Sequence, residues 1–237
     1  MSLGDVLSKS LSYPLSDLKN FLIVGIFTML ASLATVCDAI FGPNSGISFV
    51  GAIIGVIFAL IIAGYSITVI KKAMNRSNEI PSFDFVNNFV DGIKVLVIAI
   101  VYLFIPLIIT FALLVMFGLV GAGLNNIAAS LGIWSFLAII LFILFGIFEV
   151  IAEARFAESG SIGYALSIGQ VFEDVKRIGI IKIILFLIIS IILMFIVSFI
   201  IGLLAIIPVI GVIIANIILG GYFTLFYGYA IGLLYLE

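Results

Sequence analysis

Glu149 and Glu153 are the residues whose type and spacing could do the most chemistry. Two acids four positions apart share one face of a helix, and the first stands inside an otherwise apolar run from Ile133 to Ala152. In a membrane, such acids carry protons or hold a ligand. A structural reading stands beside that one. Arg155 should mark the membrane interface, and six residues at 1.5 Å rise put Glu149 only about 9 Å further in. A carboxylate at that depth can approach the headgroups or pair with a basic group of the neighbouring connector. Asn216 is the third candidate: its amide lies in another apolar run, where it can bind a ligand or join two helices by a hydrogen bond of about 0.6 to 2 kcal/mol.

Around these three the usual catalytic equipment is missing. The chain has no histidine and one cysteine, Cys37, which excludes disulfide frameworks, thiolate metal clusters, His-ligated haem and His-dependent triads. Neither glutamate has an evident metal partner, so no metal and no cofactor is expected. The stretch Gly118 to Gly123 follows no strand and precedes no lysine, so it reads as a turn and not as a phosphate loop. The expectation is a protein that is not an enzyme.

The elements that must position the candidates are membrane spans. Of the 237 residues, 65% are hydrophobic and 9% charged, against about 25% charged in soluble domains, and the mean hydropathy is +1.50. This is the composition of an all-α, polytopic helical membrane protein, read as one integral membrane domain over residues 1–237. Six apolar runs approach or exceed the roughly 20 residues that cross a bilayer: Leu18 to Val36, Phe49 to Ile70, Ile93 to Gly118, Ile133 to Ala152, Ile180 to Leu204 and Val209 to Leu233. Turn residues separate them in pairs, at Gly42 and Pro43, at Gly121, Gly123, Asn125 and Asn126, and at Pro208 and Gly211. The runs therefore form three hairpins. The last tip is so short that a five-span count stays open.

Charge orients these hairpins. All ten lysines and arginines fall outside the three tips, in the N-terminal segment, the two longer connectors or within a turn or so of them. Basic residues near span ends are held on the cytoplasmic side, so both termini and both connectors should be cytoplasmic in a protein of the cell membrane. Membrane lipid is the expected partner. A net charge of −2 gives no reason to expect nucleic acid.

The hairpins also read as copies, over about 1–80, 81–158 and 159–237. Each is preceded by an amphipathic segment, and each entry carries an acid followed by a lysine: Asp17 with Lys19, Asp91 with Lys94, Asp174 with Lys176. Phe85, Val86, Phe89, Val90 and Ile93 recur at helical spacing before the third run, as do Ala165, Ile168, Phe172 and Val175 before the fifth, with Ser161 as N-cap. Boundary composition alone would also collect Asp and Lys at these places.

The runs from Tyr13 to Phe21, from Glu79 to Asp84 and from Phe89 to Lys94 resemble an uncharacterised group of multi-pass membrane proteins, frequent in methanogenic archaea and known as a domain of unknown function. The likeness covers nearly the whole chain and implies the architecture without a site. More remotely, the repeated pattern is similar to the membrane portion attached to some glycerophosphodiester phosphodiesterases, without their catalytic domain. The expected function is a non-enzymatic membrane module that organises lipid or partner proteins. The alternative is a transporter or channel for a neutral or apolar solute.

Overall fold

The computed structural model describes residues 1–43, 45–119, 127–204, 206–207 and 209–237, with the backbone alone at 117–119 and 127–133. The expected turns at Gly121 to Asn126 and at Pro208 lie outside the described residues. Among those described, every regular element is a helix. They are α1 (Leu3–Ser12), α2 (Leu18–Ala31), α3 (Leu33–Phe41), α4 (Gly46–Met74), α5 (Phe85–Leu113), α6 (Ile127–Ser159), α7 (Ile162–Ala165), α8 (Ile168–Ile178), α9 (Ile180–Leu204), α10 (Ile210–Ala215) and α11 (Gly221–Tyr235). A π-helical turn extends α5 over Leu114–Leu119, and a second joins α10 to α11 over Asn216–Gly220.

Local chemistry sets the starts. Ser2 and Asp5 form a reciprocal capping box that opens α1. Asp17 caps α2 by accepting the backbone N–H groups of Lys19 and Asn20, and its second oxygen accepts the Asn20 side-chain amide at 2.7 Å. Asp84 opens α5 in the same way: it accepts the Asn87 backbone N–H, and its other oxygen accepts the Asn87 amide at 2.7 Å. Those bonds hold the Asp84 carboxyl below its ordinary range. In both cases a proline stands three residues earlier, Pro14 and Pro81.

Among the described residues, five helices are long and apolar enough to cross a membrane: Gly46–Met74, Phe85–Met116, Trp134–Ser159, Ile180–Leu204 and Ile210–Tyr235. A sixth arises if Leu3–Leu15 and Leu18–Ala31, bent by 89°, count as one span. The first expected run is divided at Ser32 into α2 and α3, yet both halves lie antiparallel on α4. Phe27 meets Phe58 at 5.7 Å, Ala31 lies against Gly55, and Leu33 and Cys37 lie against Gly51. Each step along α2 and α3 is thus matched by a step back along α4.

Two entries differ from the sequence reading. No separate amphipathic helix precedes the third run; Phe85, Val86, Val90 and Ile93 belong to the first turns of α5 and are exposed, while Asn88 and Gly92 face inwards. Before the fifth run the chain breaks after Ala165, and α8 buries Val171, Val175 and Ile178 while exposing Ile168 and Phe172. The three acid and lysine pairs also do different work. Asp17 is a cap, Asp91 pairs with Lys94 within α5 at 2.8 Å, and Asp174 turns to Arg155 while Lys176 pairs with Glu173.

One end of the bundle is tied together by polar contacts. Tyr13 donates to the Glu79 carbonyl, Tyr229 to the Asn78 side chain and Tyr222 to the Leu11 carbonyl. Tyr65 donates to the Pro81 carbonyl at 2.8 Å and Tyr102 to the Ala165 carbonyl at 2.9 Å. The N-terminal segment, both connectors and the C-terminal end therefore share one face. Outward side chains are apolar, as at Ile181, Phe195 and Phe199, each about two-thirds exposed or more. Apolar surface of that extent is the surface that lipid covers.

Candidate functional site

The site is built where two spans fail to close. Elsewhere, glycines let backbones touch: a Cβ on Gly64 of α4 would lie 1.8 Å from the Asn88 carbonyl oxygen of α5, and one on Gly92 would lie 1.8 Å from the Leu60 carbonyl oxygen. The C-terminal span meets α2 in the same manner, Gly221 against Gly25 and Gly25 against the Ile217 carbonyl. Gly146 of α6 has no such neighbour. Among the described residues, nothing lies within 4 Å of a Cβ there, and α6 and α9 do not pack closely.

The space between them is a groove of about 420 Å³. Ile143, Gly146, Glu149, Val150 and Glu153 form its α6 wall, Ile184, Leu187, Ile188 and Ile191 its α9 wall, and Tyr227 of α11 reaches in between. The Tyr227 ring is held by stacking on Phe223 at 5.7 Å and on Phe186 at 6.0 Å between centroids. The volume falls in the range of small-molecule sites, and the wall is apolar with a few convergent polar groups.

Both glutamates are therefore brought into one groove, as their spacing required. The expected partner, a basic group of the neighbouring connector, does not pair with them: Lys176 pairs with Glu173 and Arg177 with Asp174. Arg155 is buried and its guanidinium is fully engaged: two nitrogens bond Asp174 and Gln170 of α8, Nε donates to the Tyr164 carbonyl at 3.1 Å, and the group stacks 3.8 Å from the Tyr164 ring centroid. Residues two apart on a helix face away from one another, so this cation serves α8 and not Glu153. Among the described residues, no ion pair includes Glu149 or Glu153.

Asp174 has further partners, Arg177 at 3.3 Å and the Tyr235 hydroxyl at 3.3 Å, and that hydroxyl lies 3.0 Å from Glu158. This knot fixes α6, α8 and α11 beside the groove. Asn216 lies elsewhere. Its amide donates to the Val212 carbonyl one turn back at 2.9 Å, at the start of the π-helical turn that brings Ile217 onto Gly25. Tyr227 carries no sequence signal as a site residue, because its place beside the acids depends on the packing of α11.

Residues 47–206 match the model of a family described as protein of unknown function (DUF4013). No curated protein and no solved structure matches the chain.

Proposed function

We propose, from the premise that the chain belongs to the family of proteins of unknown function DUF4013, that it is a non-enzymatic membrane module holding a lipid-like amphiphile between α6 and α9. The observation that carries this reading is the pair of carboxylates without a protein cation in an otherwise apolar groove. A carboxyl group in such surroundings needs either a proton or a partner. An amphiphile with a hydroxyl or ammonium headgroup supplies one, and its tail covers the isoleucines. A transporter or channel would need a path between both faces. The α6 wall from Ile143 to Glu153 rises about 15 Å, half of a roughly 30 Å hydrocarbon core.

The architecture gives the groove its origin. We read the chain as three related units, both termini and both connectors on the cytoplasmic side, with α1 and α8 lying along that surface. The equivalence follows the caps and the glycines and replaces the acid and lysine pairs. Asp84, Asn87, Asn88 and Gly92 each lie 67 positions after Asp17, Asn20, Phe21 and Gly25, and the partners Leu60 and Gly64 lie 157 before Ile217 and Gly221. The second span of one unit thus packs on the first span of the next, and the last closes on the first. The third such contact would join α6 to α9 through Gly146, and it is the one left open. A remote likeness to the membrane portion of some glycerophosphodiester phosphodiesterases would suit a module of this kind.

The test is lipid analysis of the protein purified in mild detergent. The wild type should retain one lipid class with donor headgroups, and Glu149→Gln with Glu153→Gln should lose it while melting normally. Equal retention by both would reject the reading.

A further inference from the structure

A second cavity, of about 630 Å³, lies on the opposite side of α11, at the end of the bundle where the connectors gather. Tyr13, Tyr229 and Asn78 form part of its wall, and Lys9 and Arg76 supply its cations. The wall is rigid. Tyr13 and Tyr229 stack with centroids 3.9 Å apart, Tyr229 donates to the Asn78 side chain at 2.8 Å, and Ser16 donates to the Asn78 carbonyl at 3.1 Å.

Neither cation is held in a contact ion pair, although Lys9 lies one helical turn from Asp5, whose carboxyl the Ser2 hydrogen bonds and, less strongly, this lysine hold below its ordinary range. Among the described residues, no ion pair includes Lys9 or Arg76, and the Lys9 ammonium has only the Met1 sulfur, at 3.6 Å. The acid that lines the same cavity, Glu237, is already engaged by the Met1 amine and by Lys182. The cavity therefore presents two positive groups that no contact ion pair among the described residues engages.

The backbone at Arg76 is unusual as well: among the described residues it shares a positive φ outside glycine with Val209 alone. Helix α4 ends in a Schellman turn, with Ser77 N–H donating to the Lys72 carbonyl and Arg76 N–H to the Ala73 carbonyl. Arg76 takes the left-handed position of that turn at φ 54°, a conformation that glycine adopts without penalty and arginine does not. The chain uses glycine at the comparable ends of α3, α6 and α8, at Gly42, Gly160 and Gly179. Where a strained residue replaces the residue that would relieve the strain, its side chain is the candidate reason.

We propose that this cavity binds a phosphate group, with Arg76 as a forked donor and Lys9 as a second charge. A guanidinium presents paired N–H groups that match phosphate oxygens, and an ammonium adds a compact charge beside it. The phosphate could belong to an anionic lipid headgroup or to a soluble phosphorylated molecule, since the cavity lies at the end of the spans where headgroups and water meet.

The test uses the full chain in neutral detergent and in nanodiscs. In one arm, native mass spectrometry measures retention of phosphatidylglycerol against phosphatidylcholine; in the other, melting is followed against inorganic phosphate. Arg76→Gly should melt higher than the wild type, because glycine relieves the turn, and should bind the responding ligand about tenfold more weakly or worse, as loss of a charge-assisted bond implies. Lys9→Gln, on a different element, should also weaken it. Selective retention of phosphatidylglycerol identifies a headgroup, and a phosphate-dependent shift without it identifies a soluble ligand. Identical behaviour of wild type, Arg76→Gly and Lys9→Gln in both arms would overturn the proposal.

Discussion

Replacing Gly64 and Gly146 separately by alanine should give opposite results, although both glycines lie in apolar helices. At Gly64 the new methyl would sit 1.8 Å from the Asn88 carbonyl oxygen and 2.6 Å from the Gly92 nitrogen, where ordinary contact begins at 3.4 Å. Both obstacles are backbone, so no rotamer relieves them. Helices α4 and α5 must separate by roughly 1.5 Å, and overpacking of this kind costs about 1–3 kcal/mol or more. The gain in helix propensity from glycine to alanine is at most about 1 kcal/mol, so Gly64→Ala should be destabilised on balance. Gly146→Ala meets nothing within 4 Å and keeps only the gain. The two variants should therefore differ by about 2 kcal/mol, measured by reversible unfolding in mixed micelles with wild type alongside. Gly146→Ala losing as much as Gly64→Ala would mean that α6 packs closely after all, and would refute the open interface.

Arg155→Leu should cost about 1–3 kcal/mol in the same unfolding assay, because it leaves the Gln170 oxygen and the Tyr164 carbonyl without their donor, while Asp174 keeps Arg177 and the Tyr235 hydroxyl. Tyr65→Phe should cost about 1–3 kcal/mol by orphaning the Pro81 carbonyl that its hydroxyl satisfies, whereas Tyr227→Phe, whose hydroxyl has no such bond among the described residues, should leave melting nearly unchanged. With Cys37 replaced by alanine, a cysteine at Ser45 should react with an impermeant thiol reagent in intact cells and one at Asn78 or Ser159 should not. Labelling at Asn78 would reverse the orientation.

The membrane class and the shared face of Glu149 and Glu153 were legible in the sequence, because apolar run length and a spacing of four are local properties. Stripes of glycine at a spacing of four mark part of the close packing: Gly51 and Gly55 meet α3 and α2, and Gly228 and Gly232 meet α4. Pairing was not legible. Gly64, which no stripe marked, makes the tightest approach to α5, and its importance depends on which helix lies opposite. The acid and lysine pairs misled for a similar reason: side chains of the same type at a boundary can cap, pair along a helix or reach across to Arg155. The cap motif that does recur, Pro-x-x-Asp-x-x-Asn at Pro14 and Pro81, was visible in the letters. Its meaning required the hydrogen bonds of Asn20 and Asn87. The strain at Arg76 had no sequence signal, since arginine is an ordinary residue at the end of a span.

The most direct test of a lipid-like ligand between α6 and α9 is fluorescence quenching inside the groove. Trp134 is the single tryptophan, so Trp134→Phe with Tyr227→Trp places one fluorophore beside Glu149 and Glu153, and Ile188→Trp in the same background reports the α9 rim. In bilayers of lipid brominated on the acyl chain, both tryptophans should be quenched, and Gly146→Leu, which fills the groove, should protect the one at position 227 alone. An unquenched tryptophan at 227 beside a quenched one at 188 would show that lipid stops at the rim, and would contradict the account.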